Sequence, residues 1–124
     1  MAAKGFLVLS SVLGFFSVAL GAFAAHGLKS RLDAYYLEVF QTGVHYQFFH
    51  ALAIGGVGLL MLIKGPQPML RNGGYCFLFG VIVFSGSLYA LALSKVKILG
   101  AITPIRGLAF LLGWGLLALA CSRL

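Results

Sequence analysis

Residues 41–53, QTGVHYQFFHALA, decide how this chain is read, because Gln41, His45, Tyr46, Gln47 and His50 run straight into an apolar span. Such a pattern predicts a polar end built into a membrane helix. Outward from it the chain stays apolar in both directions. Of its 124 residues 61% are hydrophobic and 9% charged, with a mean hydropathy of +1.05, far from the about 45–50% apolar and 25% charged usage of soluble domains. A span takes about 20 apolar residues, so four spans with short connections nearly exhaust the length. No room is left for a soluble catalytic domain.

The net charge of +7 would suggest nucleic acid in a soluble chain, but here the Lys and Arg residues stand singly or in pairs between apolar runs. They read as anchors beside anionic headgroups, with membrane lipids as partners and no nucleic acid. Cys76 and Cys121 fall within apolar runs without Cys-x-x-Cys spacing, and read as small buried residues.

The expected fold is all-α: four transmembrane helices in an up-and-down bundle, one domain over residues 1–124, with spans near 5–25, 44–63, 73–93 and 98–121. In the first span Ser10, Gly14, Ser17, Gly21 and Ala25 recur at steps of three or four and make a face that admits a close helix. Ala22-Phe23-Ala24 after an apolar core also fits a signal-peptide cleavage site, the rival reading of this run. Between the first two spans, Leu32, Tyr35, Tyr36, Val39 and Phe40 follow the spacing of an amphipathic helix, expected over about 31–42 in the headgroup region. Gly43 is expected to bend the chain before the second span. Lys64-Gly65-Pro66-Gln67-Pro68 ends that span in a turn expected over 64–72. Thr103 and Pro104 give the last helix its start signal, Thr as N-cap and Pro at the first helical position. Charge does not orient the bundle: Lys4, Lys64, Arg71 and Arg123 would lie on one side, Lys29, Arg31, Lys95 and Lys97 on the other.

Alternating helices bring the end of span one, the start of span two, the end of span three and the start of span four to one leaflet. That leaflet receives His26, then Gln41, His45, Tyr46, Gln47 and His50, then Ser85, Ser87 and Tyr89, then Thr103 and Arg106. Polar groups at membrane depth are costly and should face one another. Two readings follow, a hydrogen-bonded plug that holds the helices together or a site for a ligand, lipid or partner. No metal is expected, since His45 and His50 lie about 140° apart around a helix and cannot chelate as an i, i+4 pair would. Haem would need His26 as a second axial ligand, and no cofactor is expected. His50, about 7.5 Å deeper than His45, reads as a structural histidine bonded to a backbone carbonyl or to Tyr89. Arg106 reads as snorkelling, as paired with Asp33 or Glu38, or, with Thr103 and the helix start, as an anion site.

Four pieces, GAFAAHGL at 21–28, QTGVHYQFFHALA at 41–53, FSGSLYALALS at 84–94 and TPIRGLAFLLGW at 103–114, resemble the YgdD/YwdK-like family of small bacterial inner-membrane proteins, a domain of unknown function with a mitochondrial relative in animals. The resemblance covers nearly the whole chain and implies a four-helix membrane protein, in a bacterial inner membrane, without an assigned activity or catalytic residues. Where the family is expected to read Thr-Pro-x-Gly-Gly, this chain has Thr103-Pro104-Ile105-Arg106-Gly107, so Arg106 stands in place of a glycine. The functional expectation is a non-enzymatic accessory or scaffold subunit packing in a membrane complex or homo-oligomer. The alternative is a binding or transport protein holding a quinone or lipid in the polar half of the bundle.

Overall fold

The apolar runs fold as helices in a computed structural model that describes residues 1–98 and 103–124, with backbone alone for residues 103–106. Helix α1 covers Ala3–Leu28, α2 Ala34–Lys64, α3 Pro68–Ser94 and α4 Thr103–Ser122. By length and composition α1, α2 and α3 can each cross a membrane; of α4, the stretch described with its side chains, Gly107–Ser122, is apolar. The expected start of a fourth span at Ile98 runs into residues 99–102, which lie outside the described residues.

Helix α2 corrects the sequence reading most. A separate interfacial helix over 31–42 with a bend at Gly43 is not what forms; Ala34–Lys64 is one uninterrupted helix of 31 residues. Glycine at 43 serves close approach rather than a turn. A Cβ there would stand 2.7 Å from Tyr89 Cε1 and 3.3 Å from the Ser85 carbonyl oxygen, so α3 can lie against α2 only because position 43 has no side chain. The amphipathic spacing is still used, since Phe40 is buried and Tyr36 and Val39 pack beside it. At its far end α2 stops where expected. Gly65 adopts φ 87°, a left-handed value open to glycine, and its N–H closes on the Met61 carbonyl at 2.9 Å. Pro68 then opens α3, five residues before the expected Gly73, in the first-turn position where its missing N–H costs nothing.

Successive helices run antiparallel and meet through small residues. Along α1 and α2, Ser10 lies under Gly55, Leu7 under Gly58 and Gly21 under Val44. Only part of the expected small-residue row is used, for Gly14 faces open space and Ala25 is exposed. Along α3 and α4, Gly73 meets the backbone at Gly113, while Gly113 receives the Phe77 ring and Gly80 the Phe110 ring. Phe6, Ile54, Leu70, Phe77 and Phe110 form the main apolar core, and Ala24, Leu28, Phe40, Val44 and Ala92 a second cluster toward the α1–α2 turn. Burial of these chains is a packing gain in lipid, where no hydrophobic drive separates helix from solvent.

Two π turns interrupt the helices, Ala24–Leu28 at the end of α1 and Val81–Ser85 inside α3. In the second, the Gly86 N–H reaches back to the Val81 carbonyl, which widens the helix by one residue, as π bulges do. The Ser87 hydroxyl bonds the Val83 carbonyl in the same turn.

Candidate functional site

On a continuous α2 the stretch 41–53 is no longer an end. His50 stands 14 residues before Lys64 and 16 after Ala34, which places it about 21 Å from one helix end and 24 Å from the other. The polar groups therefore line the middle of the longest helix instead of capping one side of a span.

They form two sets on neighbouring faces of α2. In the first, Gln47 is buried between α1 and α3; its Nε2–H donates to the Leu13 carbonyl at 3.0 Å, and its Oε1 accepts from the Tyr89 hydroxyl at 2.7 Å. A side-chain amide has both donors and an acceptor, so one residue joins three helices. Beside it the buried Ser85 hydroxyl donates to the Gly43 carbonyl at 2.8 Å, and Ser10 donates to the Ala51 carbonyl at 2.7 Å. Helix carbonyls keep a second lone pair after their own ladder bond, and these hydroxyls use it.

The second set surrounds His50, which is 4% exposed. Its Nδ1 lies 2.8 Å from the Tyr46 carbonyl and its Nε2 3.1 Å from Trp114 Nε1. A carbonyl only accepts and an indole N–H only donates, so the proton sits on Nδ1 and the imidazole is neutral. Both nitrogens are thereby committed, which leaves no lone pair for a metal. Phe110 lies flat on the ring with centroids 3.7 Å apart, and Phe77, Tyr46 and Trp114 close the remaining sides at 5.5, 6.1 and 5.9 Å. A cavity of about 340 Å³ opens beside this aromatic box, between Tyr46, Phe84, Phe110 and Trp114. It faces outward, for Tyr46 and Trp114 are 39% and 47% exposed.

Other expected members stand apart. His26 is exposed on the first π turn, and His45 is exposed with Phe49 as its ring neighbour. Among the described residues Ser87 bonds only within its own helix. Tyr89 is joined to Gln47 and not to His50. The side chains of Thr103 and Arg106 lie outside the described residues, although the α4 backbone does start at Thr103. Trp114, Phe110 and the Leu13 carbonyl were missed in the sequence. The only tryptophan of the chain carried a signal, because an indole N–H within an apolar run needs an acceptor.

A family described as "Protein of unknown function (DUF423)" matches residues 20–107. This chain belongs to the DUF423 family. Full-length relatives carry the likeness to both ends. The UPF0382 inner membrane protein YgdD of Escherichia coli is 39% identical over 100% of this chain and 94% of its own. The UPF0382 membrane protein YwdK of Bacillus subtilis is 38% identical over 97% and 98%, and a UPF0382 membrane protein of Haemophilus influenzae 46% identical over 88% and 86%. No solved structure matches the fold. Within this DUF423 chain, Gly43, Gln47, His50, Ser85 and Tyr89 fall inside the family match, whereas Leu13 and Trp114, which complete their hydrogen bonds, fall beyond its limits. It is a membrane protein, as the composition required.

Proposed function

We propose that this chain is a non-enzymatic accessory or scaffold subunit of a bacterial inner membrane, an up-and-down bundle of four spans that packs against a second copy or a larger membrane complex. One observation carries the reading: Gln47, Tyr89, Ser85, Ser10 and His50 are all used in bonds between helices or to helix backbone. Groups committed in this way hold a bundle in register and are not free to act on a substrate. The outer face of α1 suits a partner helix, since Val8, Val12, Phe15 and Val18 are 45–70% exposed around the open Gly14. A photo-crosslinking residue at Phe15, activated in native membranes, is expected to yield one discrete protein adduct, with the same residue at Ile63 as a control. Adducts to lipid alone at Phe15 refute the subunit role.

The open cavity beside Tyr46 and Trp114 favours a second reading, binding of a quinone or lipid tail by the aromatic box. Organic extraction of protein purified from native membranes tests it. A stoichiometric small molecule lost on Trp114→Ala supports this reading, and its absence from the wild type removes it.

A further inference from the structure

At the opposite pole from Lys64, the start of α2 and the end of α3 come together around a cavity of about 470 Å³ lined by Asp33, Tyr35, Tyr36, Leu91 and Lys97. Its size falls in the about 300–1,000 Å³ range of small-molecule sites. Its walls differ from those of the aromatic box, because a carboxylate and an ammonium share one concavity and, among the described residues, no ion pair closes across it. Asp33 precedes α2 but makes no side-chain capping bond, so its carboxylate is not consumed by the helix it introduces. Tyr35 and Tyr36 meet edge to face at 5.0 Å, and the Lys95 Nζ stands 5.7 Å over the Tyr36 ring. Lys95 holds φ 60°, the left-handed value that costs most residues some strain, and its N–H closes on the Leu91 carbonyl at 2.7 Å. The α3 terminus thus turns Lys95 back over the Tyr36 ring.

We infer that this cavity binds a zwitterionic headgroup that joins a phosphate to a primary ammonium, the chemistry of phosphatidylethanolamine. Asp33 accepts the ammonium N–H groups, with Tyr35 beside them in the cavity wall. Lys97 takes the phosphate, and Leu91 supports the glycerol and the first acyl carbons. A purely anionic headgroup would meet the Asp33 carboxylate unpaired. A choline headgroup has no N–H to give it. Placement agrees with this occupant, since α2 begins and α3 ends where tyrosines and lysines sit at a membrane interface.

The test uses the full-length protein in mild detergent with an equimolar mixture of phosphatidylethanolamine, phosphatidylcholine and phosphatidylglycerol, read by native mass spectrometry. Wild type is expected to retain phosphatidylethanolamine about tenfold over the other two, the effect of one charge-assisted bond. Asp33→Asn should remove that preference, Asp33→Glu should keep it, and Lys97→Gln should lower retention of phosphatidylethanolamine and phosphatidylglycerol together. Lys64→Gln, at the other end of α2, should change nothing. Free phosphoethanolamine separates the two sources of this chemistry: displacement of the lipid at equal concentration points to a soluble ligand, and failure to displace points to the lipid itself. Retention of the three lipids in proportion to the mixture, or an unchanged preference in Asp33→Asn with its thermal melt intact, overturns the assignment.

Discussion

Replacing Gln47 by Leu keeps the approximate volume and removes both of its hydrogen bonds, to the Leu13 carbonyl at 3.0 Å and from the Tyr89 hydroxyl at 2.7 Å. Interhelical bonds in membranes contribute about 0.6 kcal/mol on average and about 1.7 at most, so the loss should be about 1–3 kcal/mol. Part of that loss is the Tyr89 hydroxyl left without its partner in a half-buried site. Tyr89→Phe removes one bond and strands Gln47 Oε1, at a cost of about 1 kcal/mol. The double variant has neither orphan. Its cost should therefore fall below the total for the two single variants by about 0.5–1.5 kcal/mol, the range of one such bond. Reversible unfolding in mixed detergent micelles, followed by circular dichroism, measures all four corners. Additivity within about 0.3 kcal/mol would refute a direct Gln47–Tyr89 bond. So would a Gln47→Leu variant as stable as wild type.

Glycines give a paired prediction from the same assay. Gly43→Ala drives a methyl into the Tyr89 ring and toward the Ser85 carbonyl and should cost about 1–3 kcal/mol, whereas Gly86→Ala meets nothing within 4 Å and should be neutral or gain up to about 1 kcal/mol of helix propensity; equal effects at the two positions would contradict the close packing of α2 and α3. Because Trp114 is the only tryptophan, its emission reports the His50 bond: His50→Phe should shift it to the blue as the indole N–H loses its acceptor, and an unchanged spectrum would mean that the 3.1 Å bond is not made. Ser85→Ala removes a donor whose acceptor keeps its own ladder bond, so it should cost only about 0.5–1 kcal/mol, and a loss above about 2 kcal/mol would show that Ser85 does more than bond the Gly43 carbonyl.

The membrane class and the Lys64–Pro68 break were legible because each depends on local composition: a long apolar run needs a bilayer, and Gly65 with Pro66 and Pro68 cannot continue a helix. The stretch expected as a separate interfacial helix is part of α2, where Tyr36, Val39 and Phe40 of its apolar set pack inward while Tyr35 is exposed. A glycine after an amphipathic stretch signals a bend only when nothing presses on it, and Tyr89, 46 residues further along, does press on Gly43. Alternation of helix directions places Tyr89 in the polar set, but its hydroxyl bonds Gln47 and not the expected His50. The partner of His50 could not be read in the same way. Trp114 belongs to the last helix, and its meeting with His50 depends on Gly80 and Gly113 bringing α3 and α4 close enough for Phe110 and Phe77 to close the box. No local pattern specifies that distance. The π turn over Val81–Ser85 has no residue-level signal either, since the bond that defines it runs from the Gly86 N–H to the Val81 carbonyl, between backbone groups every residue carries.

What the continuous α2 changes is the meaning of depth. A histidine near a headgroup region can take a proton or a water; one about 20 Å from either end of a helix cannot do so cheaply. His50 meets that condition with one tautomer, a carbonyl on one nitrogen and an indole on the other. The same middle layer holds the Gln47 amide and the Tyr89 hydroxyl, each bonded to the other. Polar groups so placed are costly if any single one is left without a partner, and each is matched by a group on a different helix. Register between the helices is therefore set from the centre of the bundle outward, with the glycine contacts fixing distance and the hydrogen bonds fixing rotation. Chemistry with the surroundings is left to the outward face of α1 and to the charged cavity at Asp33 and Lys97, where, among the described residues, the side chains are not committed to one another.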